Sequence, residues 1–556
     1  MKVSRSKQGR KKATDQTTPS RLPTVSGNSG HAAHEPLPPF ITNEKEQFSF
    51  LMGEDFAERH NIAWRVELAE EDPANPLIES KFPWENAAVM SHGTVMHDPT
   101  DGLWKAWYTA IPKHPYNASA ERRLAYAESN DGVNWIRPEL DLCSYRGHQR
   151  TNILIDLESG GPAHNASVIL HPDAPPDRRY EMFILRIPGW YCPQRVVKGF
   201  ELPPGQDAHQ KGEGAFSPGL YRYKSADGKR WEPWEPARFE TADSGWVSQL
   251  ADGSYVVYHK TGIPALPGGL VPYDVAVGVC RIIMRRTSKL GSQWSPAELA
   301  LTPDWQDPND TQFMELSSLP QRSGYVGVAT VYHPWNQTID LQFVASRDGK
   351  AWWRPDRRAC LPLRPLGDFG GGMIWPMHPI IHCQGRMYLY YCGCQGLHND
   401  YMSTEPVERM RQAEFPEWPH YWQPLALGKD AYSPVAGLLW FSGGICRASW
   451  EVGRLWAAVT AQGGDSTGDL LTRSSITKGK QLAVHVVTVK DGALEAELVS
   501  GGKPVAGYSR SDCTPIRGDH RDAQVRWKGG NRCPVDRAQI RFYVRQARFY
   551  CYDIQD

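Results

Sequence analysis

Carboxylate side chains recur beside the β-rich segments of this 556-residue chain. The candidate catalytic residues are Glu85, Asp243, Asp310, Glu315 and Asp368. Carboxylates that meet in a partly desolvated pocket repel one another, so one stays ionised while another keeps its proton. An acid and a base placed on either side of a glycosidic bond are the groups that cleave it. These residue types therefore favour acid and base chemistry on a sugar, provided that the fold brings them to one pocket.

Polar and aromatic side chains accompany these carboxylates. The candidate substrate-binding residues are Asn86, His164, Asn165, Trp246, Trp375 and His398. Aromatic rings stack on the apolar faces of sugars, while amides and imidazoles bind hydroxyl groups. Asp368 precedes three glycines, which allow a ligand close approach. The alternatives are structural: Asp243 and Asp310 also suit turns, and Glu85 also suits an exposed position.

The segment Ser-x-Asp-Gly-x-x-Trp occurs three times, as SNDGVNW from Ser129, SADGKRW from Ser225 and SRDGKAW from Ser346. A fourth copy keeps Ser288 and Trp294 around Leu290-Gly291. Asp-Gly favours a tight hairpin turn, serine binds the turn backbone, and tryptophan packs between neighbouring sheets. The segment is therefore predicted to be scaffold.

Each copy ends a unit of β-rich runs, and successive copies begin 96, 63 and 58 residues apart. Such intervals fit four-stranded sheets repeated around an axis, with an insertion in the second unit and a fifth unit at GGMIWP. The prediction is an all-β fold, with a five-bladed β-propeller over residues 43–435. In a propeller the first strand of each blade lines the axis, so the candidate residues are expected to converge there.

The rest of the chain differs in composition. Short alternating runs such as QLAVHVVTV predict a β-sandwich over residues 436–556. Residues 1–42 are rich in Lys, Ser, Thr, Gly and Pro, which predicts a disordered basic tail. No apolar h-region follows MKVSRSKQGRKK, which favours a cytoplasmic location.

Charge and cysteine content limit the partners. Lys plus Arg and Asp plus Glu both total 62, so no net field attracts nucleic acid or anionic lipid. The apolar runs are shorter than the roughly 20 residues of a membrane span. Eleven cysteines without a CxxC pair do not predict a disulfide framework or a zinc ribbon. For Cys392 and Cys394 in YYCGCQG, packed thiols are favoured over a metal site.

The five-unit pattern is accompanied by the segments AYAES and QFVAS, which lead into the turns, and by the runs GDFGGGMIWP and YYCGCQGLHND. Together these features resemble five-bladed propeller glycoside hydrolases of the families 32, 43 and 68 type. The chain is most similar to bacterial family-32-like proteins that carry a C-terminal β-sandwich. This resemblance implies that Glu85 is the nucleophile or base and that Asp243 orients the sugar or stabilises the transition state. It also implies that Glu315 or Asp310 is the general acid.

The leading hypothesis is a glycosidase that acts on an oligosaccharide in the axial pocket. A non-catalytic propeller that binds a glycan or a protein is the second, because fold alone does not determine function. A phosphorylase, as in the family 130 propellers, is the third and would need Lys260 and Arg186 near a single carboxylate. No cofactor is predicted, although the axial residues would suit a structural divalent cation. The sugar, the linkage, the stereochemical outcome and the oligomeric state are not determined by the sequence.

Overall fold

The computed structural model describes residues 47–86, 88–112, 122–156, 163–186, 219–240, 244–250, 252–264, 279–383, 385–398 and 443–556. Regular structure in these ranges consists of β-strands and short 3-10 turns at Gly53–Asp55, Pro83–Glu85, Pro176–Arg178 and Arg510–Asp512. These ranges contain no α-helix, so the predicted all-β class is confirmed for them. Nor do they contain a helix that is long and apolar enough to cross a membrane.

The described chain begins with three short strands whose partners come late in the sequence. They are β1 (Phe56–His60), β2 (Ile62–Val66) and β3 (Glu70–Glu71). β1 and β2 join a C-terminal sheet, whereas β3 pairs with residues 448 and 449. The N-terminal segment therefore contributes edge strands to two separate sheets.

Three antiparallel meanders follow, each with its strands in chain order. Meander one contains β4 (Ala88–His97), β5 (Trp104–Ile111), β6 (Arg123–Ser129), β7 (Trp135–Ile136) and β8 (Ile153–Ile155), which pairs with β6. Meander two contains β9 (Ala163–Leu170), β10 (Tyr180–Arg186), β11 (Gly219–Ser225) and β12 (Glu232–Glu240). Meander three contains β13 (Gly245–Gln249), β14 (Tyr255–Pro264), β15 (Val279–Ser288) and β16 (Glu298–Leu301).

Two further meanders share one sheet. Meander four contains β17 (Gln312–Gln321), β18 (Gly324–His333) and β19 (Thr338–Ser346). Meander five contains β20 (Met373–Pro376), β21 (Ile381–Cys383), β22 (Arg386–Cys394), β23 (Gly443–Glu451) and β3. A single parallel pair, Ile339 with Met373, joins them. The predicted propeller boundary at residue 435 stays a prediction, although β23 continues meander five beyond it.

The first strands of the meanders lie side by side. β4 contacts β9, β9 contacts β13, β13 contacts β17, and β20 contacts β4 again. β4 is buried at every position, which explains its near-continuous run of apolar and small residues. The arrangement is propeller-like, and it brings one strand from each meander to a common centre.

The repeated seven-residue segment forms the turn that was predicted from its sequence. In the first copy Ser129 Oγ accepts a hydrogen bond from the Gly132 amide at 3.0 Å, and Asp131 Oδ1 accepts from the next two amides at 2.8 and 2.7 Å. Gly132 has φ +72°, which glycine adopts without steric cost. The ring of Trp135 packs edge-on against Tyr390 of meander five, with centroids 6.0 Å apart. The predicted packing of the motif tryptophan between sheets is confirmed for this copy.

The glycine carbonyl of each turn also fixes a neighbouring meander. Gly132 O accepts from the Tyr390 hydroxyl at 2.7 Å, Gly228 O from the Trp107 indole at 2.7 Å, and Gly349 O from the Tyr258 hydroxyl at 2.6 Å. These bonds join meander five to one, one to two and three to four. One short sequence thus supplies both a turn and a contact between sheets.

The first testable prediction concerns Gly132→Ala. A Cβ at this position would lie 2.6 Å from Tyr390 Oη and 3.1 Å from the Trp104 ring. An alanine in the left-handed conformation lowers the free energy of unfolding by roughly 1–2 kcal/mol, and overpacking lowers it by about 1–3 kcal/mol more. Gly102→Ala is the matched control, since Gly102 also has φ +72° but a Cβ there meets nothing within 4 Å. Urea unfolding should show a clearly larger loss of unfolding free energy for Gly132→Ala, and equal losses would contradict this account.

Buried ionic networks also join adjacent meanders. Between meanders one and two, Asp98 accepts from Lys105 Nζ at 3.0 Å and from Arg179 Nη2 at 2.6 Å, and Tyr180 also donates to it. Lys105 Nζ in turn donates to Tyr180 Oη at 2.7 Å. The buried Asp98 carboxylate therefore has a partner in each meander.

Glu181 serves the same purpose between meanders two and three. It accepts from the Tyr255 hydroxyl at 2.8 Å, lies 2.8 Å from His171 Nε2 and pairs with Arg222. Buried charges are tolerated when they are paired and hydrogen-bonded in this way. Both networks belong to the scaffold.

The C-terminal sheet is built on two long strands. It contains β24 (Trp456–Thr460), β25 (Thr467–Thr477), β26 (Gln481–Ser500), β27 (Lys503–Pro504), β28 (Asp519–Gln524) and β29 (Arg537–Gln555), together with β1 and β2. β26 pairs with β29 over two stretches, on either side of an irregular step between Thr488 and Ala493. Alternate residues of β29, such as Ile540 and Phe542, are fully buried in one apolar core. This alternation is the pattern that predicted strands here.

Candidate active site

Local irregularities shape the first strands where they meet. β4 changes register between Met90 and Thr94, and β17 between Phe313 and Glu315. β9 has one extra residue at Asn165 and Ala166, which together lie opposite Ile184 of β10, and Asn165 has φ +50°. β-Bulges turn individual side chains out of the regular alternation and occur often beside active sites. Asparagine tolerates this left-handed conformation better than most residues do.

Glu315 lies at the point where these strands converge. Its Oε1 accepts hydrogen bonds from Asn165 Nδ2 and Ser244 Oγ, both at 2.9 Å, and lies 3.5 Å from His92 Nδ1. Its Oε2 accepts from Trp246 Nε1 at 3.3 Å. These five residues, which we call the axial cluster, come from meanders one to four and from the residue just before β13.

The carboxylate of Glu315 is held in its ionised form. The side chain is only 1% exposed, and this burial alone would raise its pKa. Interactions with His92, Asn165 and Ser244 outweigh burial and lower the pKa below the ordinary value. An ionised carboxylate suits a nucleophile, a base or a stabiliser of positive charge. It does not favour the general-acid role that was predicted for Glu315.

A wall of five contacting rings begins at His92, beside this carboxylate. His92 lies 4.0 Å from His164 and 5.2 Å from Trp375, measured between ring centroids. Trp375 lies 6.3 Å from His398, which lies 4.5 Å from Tyr332. The wall thus combines stacking surfaces with imidazoles that can carry protons.

Two arginines contact this wall. Arg122 Nη1 lies 2.6 Å from His164 Nδ1. The same nitrogen lies 3.3 Å from His164 Nε2, so the guanidinium contacts the edge of this imidazole. Arg281 donates to Gln312 Oε1 at 2.5 Å and lies over the Tyr332 ring.

Two buried polar atoms of the site have no hydrogen-bond partner among the residues that the structure describes. They are Asn165 Oδ1, an acceptor, and Trp375 Nε1, a donor. An unsatisfied buried polar atom is costly unless a ligand or water meets it. Both residues were predicted to bind substrate, and these atoms are suited to sugar hydroxyls.

His378 supports the axial cluster. Its imidazole stacks on Trp246 with centroids 5.5 Å apart and lies 3.0 Å from Ser317 Oγ and 3.1 Å from Ser248 Oγ. Burial lowers the pKa of His378 to about 4, with Glu315 opposing the shift, so the imidazole is neutral near pH 7. A neutral ring between two hydroxyls suits a positioning role.

The described residues bring together about half of the predicted site. Glu315, His164, Asn165, Trp246, Trp375 and His398 lie in the axial cluster or the wall around it. Asp243 lies outside the described residues. Sequence reasoning missed His92, Ser244 and His378; a histidine followed by glycine inside the apolar run AVMSHGTVMH was the available signal for His92.

Glu85 does not lie in the axial cluster, contrary to expectation. It ends a 3-10 turn, is fully buried and accepts from Tyr108 Oη at 2.5 Å and from Arg137 Nη1 at 2.7 Å. The amides of Lys81 and Phe82 occupy Oε2 as well. Four donors hold this carboxylate, which favours a structural role over the predicted catalytic one. Asn86 beside it is exposed.

The other two carboxylates lie elsewhere. Asp310 is buried before β17 and accepts from the Trp335 amide at 3.2 Å. The strand rise of about 3.3 Å per residue carries it away from Glu315. Asp368 is exposed in a turn that is closed by the bond from the Gly371 amide to its carbonyl at 2.8 Å. No described contact joins either residue to the axial cluster, and their catalytic roles stay predictions.

No group of three or more His, Cys, Asp or Glu in the described ranges could hold a metal ion. The expected lack of a cofactor and the structural cation considered for the axis stay predictions. His92, His164 and Glu315 come close together, but their measured contacts are with one another and with neighbouring side chains.

No family model and no curated protein matches this chain. Solved structures with related shapes include a glycosyl hydrolase from Bacteroides ovatus, at 14% identity and a TM-score of 0.38, covering 59% of this chain and 91% of the other. A further structure belongs to the GH130 family of mannoside phosphorylases, which contains glycoside hydrolases that target β-1,2 mannosidic linkages in Candida mannan. It matches at 15% identity and a TM-score of 0.38, over 59% of this chain and 91% of the other.

An N-acetylgalactosamine deacetylase from F. plautii, in complex with blood group B trisaccharide, matches at 12% identity and a TM-score of 0.38, over 75% of this chain and 95% of the other. These structural neighbours act on glycans. With TM-scores below 0.5, the likeness establishes neither the family nor the activity of this chain. The inference about function therefore depends on the axial cluster.

Proposed function

We propose that the protein is a glycan-active enzyme that cleaves a glycosidic bond at the axial cluster. The observation that carries this proposal is the buried, ionised Glu315, which contacts His92 and Trp246 and lies beside the wall of rings that begins at His92. A carboxylate held in this state opposes the positive charge that develops on the anomeric carbon during cleavage. It acts as the nucleophile or as the base that activates water.

The neighbouring side chains take supporting roles in this proposal. Asn165 Oδ1 accepts a hydrogen bond from a sugar hydroxyl, and Trp375 Nε1 donates one. Trp375 provides a face on which a sugar ring stacks. His92, which lies 3.5 Å from Glu315, and the neighbouring His164 hold or move a proton at the edge of the cluster.

The second carboxylate is assigned from the sequence. Asp243 directly precedes Ser244, whose hydroxyl donates to Glu315. We propose that Asp243 completes the acid and base pair, as the resemblance to the families 32, 43 and 68 type implies. We also propose that the five meanders are the five blades of a propeller, and that β1, β2 and β24 to β29 form a β-sandwich.

Phosphorolysis is a second candidate, favoured by one observation. In the described chain Glu315 is the single carboxylate of the axial cluster, and the guanidinium groups of Arg122 and Arg281 contact its wall. A phosphorylase needs cationic groups to hold phosphate; in this proposal the ionised Glu315 opposes the positive charge on the anomeric carbon, and His92 or His164 protonates the leaving oxygen. Lys260, which was predicted to take part, is buried beside Ser244, whose carbonyl accepts from its amide at 3.0 Å.

The test of the proposed function is product release from a panel of oligosaccharides and aryl glycosides, followed by mass spectrometry with and without phosphate. Hydrolysis predicts a free reducing sugar in both conditions. Phosphorolysis predicts a sugar phosphate that requires added phosphate. Binding without product from any member would contradict both enzyme proposals and favour a glycan-binding propeller.

A further inference from the structure

Three sulfur atoms form a nearly equilateral triangle in the core between meanders one and five. Cys392 Sγ lies 3.6 Å from Cys394 Sγ and 3.7 Å from Met90 Sδ, and Cys394 Sγ lies 3.8 Å from Met90 Sδ. Both cysteines are free thiols and completely buried. The three sulfurs therefore face one another within an apolar cluster.

The strands explain this arrangement. Residues two apart on β22 point to the same face, so Cys392 and Cys394 present their thiols together. Met90 reaches them from β4, just before the register change that turns His92 towards Glu315. Gly443 leaves the necessary space, because a Cβ there would lie 2.7 Å from Cys392 Sγ and 3.5 Å from Cys394 Sγ.

We propose that Met90, Cys392 and Cys394 form a binding site for a soft monovalent metal ion of the Cu(I) class. The centre of the triangle lies about 2.1 Å from each sulfur, close to the roughly 2.3 Å of a metal–thiolate bond. Thiolate and thioether ligands select Cu(I). Zinc is disfavoured because its structural sites need four ligands of N, S or carboxylate type.

Binding changes the protonation of the site in a defined way. The Cys392 thiol lies 3.3 Å from the Val89 carbonyl. Cys392 and Cys394 must each release a proton to solvent when they become ligands, so that two thiolates and the Met90 thioether bind the ion. The ion therefore competes with protons, and its affinity is expected to increase with pH.

The site also lies directly behind the wall of the axial cluster. Cys392 pairs with Trp375 across β20 and β22, and Met90 is two residues from His92. A metal ion in the triangle would therefore shift the positions of Trp375 and His92, whose rings contact each other. The same apolar cluster contains both Trp375 and the three sulfurs.

The proposal is tested by anaerobic titration of the full chain with Cu(I) in competition with bicinchoninate. The native protein should hold one Cu(I) per chain. Met90→Leu and Cys394→Ser should lower the affinity by about two orders of magnitude or more, because each removes a soft ligand. Cys360→Ser is the matched control, since Cys360 is equally buried, is not a member of the triangle and should leave the affinity unchanged.

Two measurements keep the test independent of the folding of the variants and of the proposed activity. Circular dichroism melting establishes that each variant is folded before titration. X-ray absorption of the native protein with one equivalent of Cu(I) should show three sulfur neighbours at about 2.3 Å. Absence of Cu(I) binding by the native chain, affinity that survives Cys394→Ser and Met90→Leu, or nitrogen and oxygen neighbours would each overturn the proposal.

Discussion

Glu315→Gln is expected to lower kcat by about 10²–10⁴-fold on whichever substrate the panel identifies, the range typical for loss of a catalytic acid or base group. Glutamine keeps the shape of the side chain but removes the charge that opposes the positive anomeric centre. Its oxygen can still accept from Asn165 and Ser244, whereas its amide faces the Trp246 indole, which is also a donor. Steady-state kinetics at substrate saturation measures the loss, and the change should fall on kcat more than on KM.

Glu181→Gln is the matched control for this variant. Glu181 is equally buried and hydrogen-bonded, but its partners Arg222 and Tyr255 lie between meanders two and three. Breaking a buried ion pair costs about 3–5 kcal/mol, so this variant should melt at a lower temperature. Its kcat, measured where it is folded, should equal that of the native chain. A Glu315→Gln variant with native kcat would exclude Glu315 from catalysis and leave the axial cluster as a binding or structural site.

The scaffold was predictable because its signals are local. Ser129, Asp131 and Gly132 build their turn from bonds within a few residues, and Trp135 meets its neighbour because the turn directs it there. A repeated local motif therefore carries information about the contacts between sheets. The class of the fold followed from the sequence for this reason.

The site was less predictable because its geometry depends on bulges. Sequence reasoning searched just before each first strand, where a regular strand would place axial residues. Glu315 and His92 instead lie inside strands, at positions that register shifts turn towards the centre. Glu85 shows the opposite error: it precedes β4 as required, yet Arg137 and Tyr108, distant in sequence, hold its carboxylate in a structural role.

Asp98→Asn is expected to lower the free energy of unfolding by about 3–5 kcal/mol at pH 7, the cost of removing one partner of a buried ion pair. Arg179 would keep its charge in the interface between meanders one and two without its carboxylate partner, and Lys105 would keep only the half-exposed Asp101. Asp101→Asn is the matched control, because Asp101 also pairs with Lys105, at 2.6 Å, but its side chain is 42% exposed. An exposed pair contributes roughly 0–1 kcal/mol, so urea unfolding should separate the two variants clearly.

The pH dependence provides an independent check on Asp98. Burial alone would raise its pKa, but bonds from Tyr180, the Thr100 amide and Lys105 outweigh burial and hold the pKa far below the ordinary value. A carboxyl group whose pKa is lowered by folding stabilises the folded state above its unfolded pKa of about 3.9, and this stabilisation is lost as the pH falls below that value. The difference in unfolding free energy between native and Asp98→Asn should therefore be constant from pH 7 to about pH 5 and shrink below about pH 4. A difference that stayed constant down to pH 2 would mean that the ionised Asp98 does not stabilise the interface, and that the variant acts through packing alone.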